Sequence, residues 1–519
     1  MESEKKSKLT RSDIKEIIND VEAKFPVDKW IIDGIHIWPV IRIQLYEDLS
    51  YKLFSLESPD YLTRTTFINR MIRILEIIKG LSKFMFAYIW DHKKNGKVEK
   101  VDAVFLRHGI HFTKVNNYWY DRFCDPFIDY LKSKNLTSLS LTPLHGYFIP
   151  RYNSSMFIQP ILDYIKIIYR FILKISHTES EQLLNFSDFL DYLEFKNYNT
   201  QKITLQLIRR RVFIIRLIAD FFKKLLEKSK PSLGFLVSYY ETTGFAYNLA
   251  CREFGIPSID IQHGVQGELH LAYGSWSNVP EKGYELLPSL FWCWSDFEAN
   301  AIQKWCKKVF KWHKQIVGGN LWLNQWVDGN SKFVKHYDTL ISKLKEPNKN
   351  CKHILFTQNE PIESENFKNT FYVIKNSPPF WFWWIRIHPG QLKIKSKVKK
   401  MLNENKISNY NIDYATDLPL YAILRNIDIH LTCSSSTVTE AEIFGIPSVL
   451  ASKYGNGLFP RQIYSGRAIS AFAPEDIINA INHQLKILDE LKQNKEKYQI
   501  QKEDKLEYLM KLIKQNKKA

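Results

Sequence analysis

The stretch that decides the fold is Ile427–Leu450, which reads IDIHLTCSSSTVTEAEIFGIPSVL. Its first residues alternate apolar and β-branched side chains with polar ones, which favours a short buried strand. Four hydroxyl residues follow, Ser434, Ser435, Ser436 and Thr437. A helical segment then ends at Gly445, and Pro447 returns the chain to another strand. A strand, turn, helix and strand in this order predict an α/β fold.

The hydroxyl turn has two interpretations. The amino end of a helix carries partial positive charge and unsatisfied N–H groups, so the turn predicts a phosphate site. Thr437 and Glu440 also have the spacing of a capping box, in which the two residues cap the helix without any ligand. This stretch alone leaves both interpretations open, and the rest of the chain favours contact between Glu440 and a donor substrate.

A short repeat extends the fold to a second domain. Phe254–Ser258 and Phe444–Ser448 both read FGIPS, and each lies between a predicted helix and a predicted strand. We therefore expect two similar α/β domains. The predicted divisions are an N-terminal helical extension over 1–100, a first (acceptor) domain over 101–330, a second (nucleotide-donor) domain over 331–485 and a charged helix over 486–519. The stretch Trp326–Lys335 is the candidate linker.

Composition limits the class of partner. The chain has 519 residues and a formal net charge of +18, from 73 basic and 55 acidic residues. That balance favours an anionic partner, such as a phosphorylated substrate or an anionic membrane. Nucleic acid is not expected, because the basic residues lie on amphipathic helices and no recognition motif is present. Six scattered cysteines and an N-terminus without an apolar core predict a reduced, cytoplasmic protein.

Two predicted helices combine an apolar stripe with basic residues. One is Ile203–Lys230, within a helical insert at about 155–230, and the other is Phe67–Trp90. Such a helix can lie on the anionic inner face of the cytoplasmic membrane. It can equally pack on its own domain and leave its basic face in water. The sequence allows both.

Three clusters of polar residues follow predicted strands, where α/β sheets bind ligands. The clusters are Gln262-His263-Gly264, Arg386 with His388, and the hydroxyl run Ser434–Thr437. Histidine can act as a base near neutral pH, and arginine can bind a diphosphate. The chain has no P-loop, no dinucleotide-binding glycine motif, no HExxH and no acidic pair after a strand. We therefore expect neither a metal nor a cofactor.

In its motifs the chain resembles metal-independent GT-B glycosyltransferases of bacterial surface polysaccharides. The resemblance implies the GT-B fold, with two Rossmann-like domains facing a cleft. The shared order is Gly-Ile-Pro…Gln-His-Gly, then His-Pro, then Ser-Ser-Ser-Thr…Glu-Ala…Gly-Ile-Pro, over roughly residues 233–450. Similar groups are the capsule Kdo transferases, the polysialyltransferases and the CDP-glycerol glycerophosphotransferases. The Kdo transferases usually have an acidic residue where this chain has His263. The first 100 residues and the helical insert have no counterpart in these groups.

The resemblance implies roles for individual residues. His388 and the run Ser434–Thr437 are expected to bind the donor phosphate, and Glu440 the donor ribose or sugar hydroxyls. By resemblance to the glycerophosphotransferases, His263 is the candidate catalytic base. Glu241 is the alternative base, since it too follows a predicted strand.

The leading hypothesis is a glycosyltransferase that extends a capsule or lipopolysaccharide glycan. Its partners would be a nucleotide-activated sugar and a glycan or lipid-linked glycan acceptor, with possible membrane contact through Ile203–Lys230. One alternative is a polyol-phosphate transferase of the CDP-glycerol type on the same fold. Another is a non-catalytic protein of this fold that binds glycan or membrane.

Overall fold

The computed structural model describes residues 9–53, 99–115, 117–143, 149–172, 183–488 and 504–516. These residues form two compact units. The first unit falls within Met1–His111, Phe123–Asn320 and Glu503–Ala519. The second falls within Phe112–Arg122 and Leu321–Lys502. Each unit is described below by itself.

The regular elements alternate between strands and helices through most of the chain. The strands are β1 (Ile31–Ile32), β2 (Ile35–His36), β3 (Ala103–Leu106), β4 (Phe112–Val115), β5 (Tyr118–Asp121), β6 (Ser138–Thr142), β7 (Met156–Phe157), β8 (Leu233–Leu236), β9 (Ser258–Ile261), β10 (Leu290–Cys293), β11 (Lys314–Val317), β12 (Lys352–Gln358), β13 (Trp381–Ile387), β14 (Tyr410–Asn411), β15 (Ile429–Thr432), β16 (Ser448–Leu450) and β17 (Ala468–Ser470). The α-helices are α1 (Arg11–Lys24), α2 (Trp38–Leu53), α3 (Cys124–Ser133), α4 (Gln159–Ile172), α5 (Phe186–Phe195), α6 (Leu205–Ser229), α7 (Thr242–Glu253), α8 (Asp296–Cys306), α9 (Leu321–Asp328), α10 (Lys332–Lys345), α11 (Glu365–Lys375), α12 (Lys395–Glu404), α13 (Asp413–Asp417), α14 (Leu420–Leu424), α15 (Thr437–Ile443), α16 (Lys453–Leu458), α17 (Pro460–Tyr464), α18 (Pro474–Lys486) and α19 (Asp504–Asn516).

The first unit is built on a seven-stranded sheet in the order β11-β10-β9-β8-β3-β6-β7. All its paired strands run parallel. The chain moves outward from β3 through β6 to β7, then returns to β8 on the other side of β3. The strand order therefore reverses between β3 and β8. In open parallel sheets, ligands bind outside the carboxyl ends of the strands at such a reversal.

The second unit repeats this plan with six parallel strands in the order β14-β13-β12-β15-β16-β17. Here the order reverses between β12 and β15. Strands β12, β13 and β15 are buried along nearly their whole length, as helices on both faces of a parallel sheet require. The predicted α/β class with two Rossmann-like domains is confirmed.

The FGIPS repeat builds the same local structure in both units. Gly255 and Gly445 follow their helices with φ of +66° and +74°. The residue after each glycine donates its N–H to the carbonyl five residues back, at 2.9 and 2.8 Å. The carbonyls of Pro257 and Pro447 then accept hydrogen bonds from the neighbouring strand at 3.0 Å. The prediction that glycine ends the helix and proline re-enters the sheet is confirmed.

The stretch 118–134 is helical only in its second part. Tyr118–Asp121 is instead the second strand of a hairpin with Phe112–Val115, and the helix begins only at Cys124. Aromatic residues alternate along this strand, so one face can pack. The ring of Tyr120 stands 4.7 Å from that of Trp322, and the hairpin thereby belongs to the second unit.

The N-terminal residues are part of the first unit's core, rather than an added extension. Ile14, Ile18 and Trp38 are fully buried in the same hydrophobic cluster as the first sheet. Glu22 and Arg42 form a fully buried ion pair with Nε–Oε1 at 2.8 Å. Helices α1 and α2 therefore share the first sheet's core, and the predicted boundary at residue 100 does not separate them from it.

Two further boundaries differ from those predicted. The middle segment of the first unit ends at Asn320. The stretch considered as a linker forms parts of helices α9 and α10, with Trp326 fully buried. Helix α19 is not simply solvated, because Leu509 and Ile513 are buried. Asn516 Nδ2 also donates to the carbonyl of Ser232 at 3.0 Å, which joins this helix to the first unit.

The helix predicted at Ile203–Lys230 is present as α6, but its apolar stripe does not face a membrane. Ile208, Val212, Ile215 and Phe222 lie in the core of the first unit, where α6 packs along α7. The membrane interpretation of this stripe is therefore wrong, and the packed alternative holds. The second basic helix, Phe67–Trp90, lies outside the described residues. Within the described part of the chain, no helix has the length and apolar character to cross a membrane.

Candidate functional site

In the first unit, a histidine–glutamate pair spans the reversal in strand order. His108 follows β3, Glu241 follows β8, and His108 Nε2 lies 2.9 Å from Glu241 Oε1. Burial raises the pKa of Glu241, but the hydrogen bond to His108 and the charges of His108 and His263 outweigh burial, so its pKa is lowered. The Glu241 side chain is 53% exposed. The pair thus presents an ionised, accessible carboxylate where a parallel sheet binds ligands.

His263, the candidate base, lies in the same group. Its Nε2 atom is 3.1 Å from Ser238 Oγ and 3.4 Å from the Tyr240 hydroxyl. The His111 ring lies between two other imidazoles, 5.2 Å from the His263 ring and 4.8 Å from the His108 ring. The structure therefore brings Glu241 and His263 together, with two further histidines that the sequence did not single out.

The backbone of the turn after β8 is constrained to hold these groups. Ser238 has a left-handed conformation, with φ of +63°, which costs a non-glycine residue conformational energy. Gly244 lies in the first turn of helix α7. A side chain at this position would come within 2.8 Å of the Ser238 carbonyl oxygen, so only glycine fits there. The Tyr239 N–H donates to Asp260 Oδ1 at 3.1 Å. The conformation of Ser238, the hydrogen bond of Tyr239 and the close packing at Gly244 thus fix the conformation of the turn.

Burial also sets the charge state around this turn. It raises the pKa of Asp260 to about 8, although hydrogen bonds from Tyr273 and from the Tyr239 backbone act against it. It lowers the pKa of His270 to about 3, assisted by the charges of Arg11 and His263. At neutral pH, Asp260 is therefore mainly protonated and His270 is neutral.

Gln262 and Gly264 lie in the loop that carries His263, and their contact with a donor stays a prediction. Gln262 is fully buried, and its amide bridges two loops: Nε2 donates to the Gly264 carbonyl at 2.9 Å, and Oε1 accepts from the Trp294 N–H at 2.6 Å. No atom lies within 4 Å of a side chain placed at Gly264. Gln262 therefore holds the loop that carries His263, and Gly264 is not required there by close packing.

In the second unit, the strand reversal is spanned by Asn359 after β12 and Ser434 after β15. Asn359 Nδ2 donates to Ser434 Oγ at 2.9 Å. The other hydroxyls of the turn bond within it: Ser435 Oγ is 2.9 Å from Thr437 Oγ1 and accepts from the Thr437 N–H at 3.3 Å. The Ser434–Thr437 run therefore forms a structured turn at the expected end of the sheet.

The capping-box interpretation of Thr437 and Glu440 is wrong. Thr437 is already the first residue of helix α15, and Ser436 before it makes no side-chain cap. Glu440 is buried and accepts a hydrogen bond from the Tyr421 hydroxyl. Burial raises the pKa of Glu440, while Tyr421, Arg122 and Arg386 act in the opposite direction. Glu440 therefore belongs to a buried polar cluster, and its contact with a donor stays a prediction.

Arg386 and His388 lie at the end of β13 with a third basic residue that the sequence did not indicate. Burial, together with the charge of Arg122, lowers the pKa of Arg386 to about 10. Burial also lowers the pKa of His388, together with the charges of Arg122 and Arg386. The positive charge of Arg122 thus acts on both Arg386 and His388 at this end of the sheet.

The hydrogen bonds of Arg386 and His388 define what each can offer a ligand. Arg386 Nη1 donates to the carbonyls of Ala415 and Leu418, both at 2.7 Å, which fixes the guanidinium. His388 Nδ1 accepts from the Gly390 N–H at 3.1 Å. A neutral imidazole with an accepting Nδ1 carries its proton on Nε2. The exposed His388 side chain is therefore a neutral N–H donor, suited to a phosphate oxygen.

The sequence did not indicate several residues of the two sites, for different physical reasons. His108 follows a predicted strand, so its position was a usable signal. Ser238 and Tyr240 stand in a turn whose conformation no motif predicts. Arg122 and Tyr421 reach the second site from a hairpin and a short helix far away in sequence. In the described ranges, no three His, Cys, Asp or Glu residues could jointly hold a metal ion.

No protein-family model matches the chain, and no curated protein sequence matches it. Solved structures do match. UDP-GlcNAc 2-epimerase from Neisseria meningitidis, bound to UDP-GlcNAc, is 16% identical over 79% of this chain and 100% of its own, with a TM-score of 0.48. MnaA from S. aureus with UDP is 13% identical over 76% of this chain and 92% of its own, with a TM-score of 0.45. The wall teichoic acid polymerase TagF, soaked with CDPG, is 9% identical over 87% and 98%, with a TM-score of 0.42. At such identities and scores, the function of this chain must be argued from its own residues.

Proposed function

We propose that the protein is a metal-independent glycosyltransferase that moves a sugar from a nucleotide-activated donor to a growing capsule or lipopolysaccharide glycan. In this proposal the second unit binds the donor and the first unit activates the acceptor hydroxyl. The acceptor is a glycan or a lipid-linked glycan. Each unit contributes the residues at the carboxyl end of its own sheet.

The observation that carries the proposal is the crowding of Arg122, Arg386 and His388. Burial and repulsion by the charge of Arg122 destabilise the charged forms of Arg386 and His388, as the lowered pKa values of these two residues express. A bound anion removes this repulsion. Glu440 is buried and interacts with both arginines, and burial raises its pKa. Such an arrangement favours a diphosphate or monophosphate, and perturbed groups of this kind concentrate at functional sites.

The donor chemistry follows from these groups. When the bond between the anomeric carbon and the phosphate oxygen breaks, the leaving nucleotide gains negative charge. The fixed guanidinium of Arg386 and the Nε2–H of His388 can stabilise that charge. Both are in place before the reaction, because backbone groups orient them. A metal ion is not needed for this task.

The first unit supplies the base. The acceptor oxygen forms the new bond to the anomeric carbon, and its proton passes to His263 or to Glu241. His263 Nε2 already lies within hydrogen-bond distance of the Ser238 hydroxyl, as a base toward an alcohol should. Glu241 is the more exposed of the two candidates and is ionised. We propose His263 as the base and Glu241, held by His108, as its alternative.

A donor panel tests the proposal. The purified protein is incubated with nucleotide sugars and CDP-glycerol, nucleotide release is measured, and the products are analysed by mass spectrometry. We expect a sugar product, and we expect His263→Ala and His388→Ala to abolish transfer with little change in thermal stability. Turnover like that of the wild type in either variant would exclude the assigned role. Phosphorus in the polymer would instead identify a polyol-phosphate transferase, and no release with any donor would favour a binding protein.

A further inference from the structure

A basic surface lies at the amino edge of the first unit's sheet, opposite the edge that carries His263. It is formed by the loops that precede β9, β10 and β11, which are neighbours in the sheet. Arg252 joins the three loops. Its guanidinium lies 3.8 Å from the centre of the Trp312 ring and donates to the carbonyl of Lys282. These loops therefore form one continuous surface, and we call it the amino-edge surface.

The turn before β11 is rigid. His313 is fully buried, with Nδ1 2.8 Å from the Pro288 carbonyl and Nε2 accepting from the Tyr284 N–H at 3.1 Å. Gly283 packs so closely that a side chain there would come within 2.2 Å of His313 Nε2. Phe310 and Lys311, which precede His313 in the same turn, are exposed.

The surface carries positive charge that the described structure does not neutralise. Its exposed lysines are Lys282, Lys307, Lys308 and Lys311. None of the four forms an ion pair within the described residues. Glu281 is exposed nearby, whereas Glu253 pairs with Arg216 and Lys223. The amino-edge surface is therefore net positive.

Exposed aromatic side chains stand among these lysines. Phe310 is 51% exposed and Phe254, in the loop before β9, is 44% exposed. An apolar ring beside ammonium groups fits the boundary of a bilayer, where the ring meets acyl chains and the lysines meet headgroup phosphates. The surface is less suited to stacking nucleic-acid bases, because Arg252 already covers one face of the Trp312 ring.

We propose that the amino-edge surface binds the headgroups of an anionic membrane. This role differs from the one predicted for α6, whose apolar stripe is buried. It also does not depend on the proposed transferase activity, because the surface lies at the other edge of the sheet from the candidate catalytic residues. The protein would lie on the membrane through Phe310 and the surrounding lysines.

Vesicle flotation tests the proposal with the full-length protein. Vesicles of phosphatidylglycerol and phosphatidylethanolamine are compared with vesicles of phosphatidylcholine, at low and high salt. We expect flotation with the anionic vesicles only, weakened by salt. Lys307→Glu, Lys308→Glu and Lys311→Glu together should reduce the bound fraction by about tenfold or more.

A matched control distinguishes the effect of this surface on flotation from the effect of net charge alone. Lys397→Glu, Lys399→Glu and Lys400→Glu on α12 change the charge equally on exposed positions of the second unit and should leave flotation unchanged. Phe310→Ser should weaken flotation without altering its salt dependence, whereas Phe380→Ser, at a similarly exposed ring, should not.

Several results would overturn the proposal. These are equal flotation of the wild type and the Lys307/Lys308/Lys311 variant, equal loss in the α12 control, or equal binding to phosphatidylcholine. Retention of a single-stranded oligonucleotide in place of vesicles, or loss of a dimer in the variant, would identify another partner. Thermal melting confirms that each variant is folded. Transfer to a soluble acceptor should be unchanged in the surface variant, so failure of this proposal is distinguishable from failure of the proposed function.

Discussion

The two sheets share a topology, but different chemical groups lie at the carboxyl ends of their strands. At its strand reversal, the first unit has imidazole, carboxylate and hydroxyl groups, with His108 on Glu241 and Ser238 on His263. At the corresponding edge, the second unit has guanidinium groups, a neutral imidazole donor and a turn of hydroxyls. The first set can exchange protons, and the second can hold an anion.

In the proposed function, one architecture serves two tasks. The FGIPS repeat and the parallel strands are alike in both units, and they determine where a ligand would bind. The residues immediately after the strands determine what would bind. Variants that affect only one of the two edges can therefore test whether the tasks are separate.

The largest expected effect is on the second edge. Arg386→Ala removes a fixed guanidinium from a charge-assisted site, so we expect nucleotide affinity to fall by about a hundredfold or more. Titration calorimetry with CMP, CDP, UDP and GDP measures it. The control is Arg425→Ala in the same unit, which breaks an ion pair with Asp338 at 2.9 Å. Arg425→Ala should lower stability and leave affinity unchanged. Equal losses of affinity in both variants would refute the role of Arg386.

The next effect concerns the protonation of Asp260. Its pKa in the folded protein is raised to about 8, above its ordinary value, so its contribution to stability is present at low pH and is lost as pH rises toward 8. Between pH 6 and 8, the wild type should lose about 2 kcal/mol relative to Asp260→Asn. Denaturant unfolding of both proteins at several pH values measures this difference. Parallel pH dependences would show that Asp260 is ionised when folded.

A smaller effect is expected at the first edge from His108→Ala. The hydrogen bond and charge of His108 lower the pKa of Glu241, so the variant should raise it. If Glu241 assists proton transfer, the acid limb of the pH–rate profile should move to higher pH, with kcat reduced about tenfold. The donor KM should not change. An unaltered pH–rate profile would show that Glu241 takes no part in proton transfer.

The smallest effect concerns Tyr421→Phe. The variant leaves the buried Glu440 carboxyl without its hydroxyl donor, which should cost about 1 kcal/mol of stability. Tyr410→Phe is the control, since its hydroxyl bonds to Asn403 at an exposed position. Thermal unfolding compares the two. A greater loss for Tyr410 would contradict the buried cluster described here.

The sequence predicted the sheets well because buried parallel strands and glycine-ended helices are local patterns. It also predicted that Glu241, His263 and His388 follow strands, whereas Arg386 lies within β13. It did not predict the partners of these residues, because Arg122 and Tyr421 arrive from distant segments and Ser238 depends on a left-handed turn. The amphipathic pattern of α6 was misleading for a physical reason: a stripe that fits a membrane also fits a protein core.

The most direct test of the division of tasks is nucleotide binding by two single variants. The account predicts that His263→Ala binds the nucleotide with the affinity of the wild type, although transfer is lost. It predicts that His388→Ala binds at least about tenfold more weakly, because a donor to the phosphate is removed. Weaker binding in His263→Ala with normal binding in His388→Ala would contradict the account.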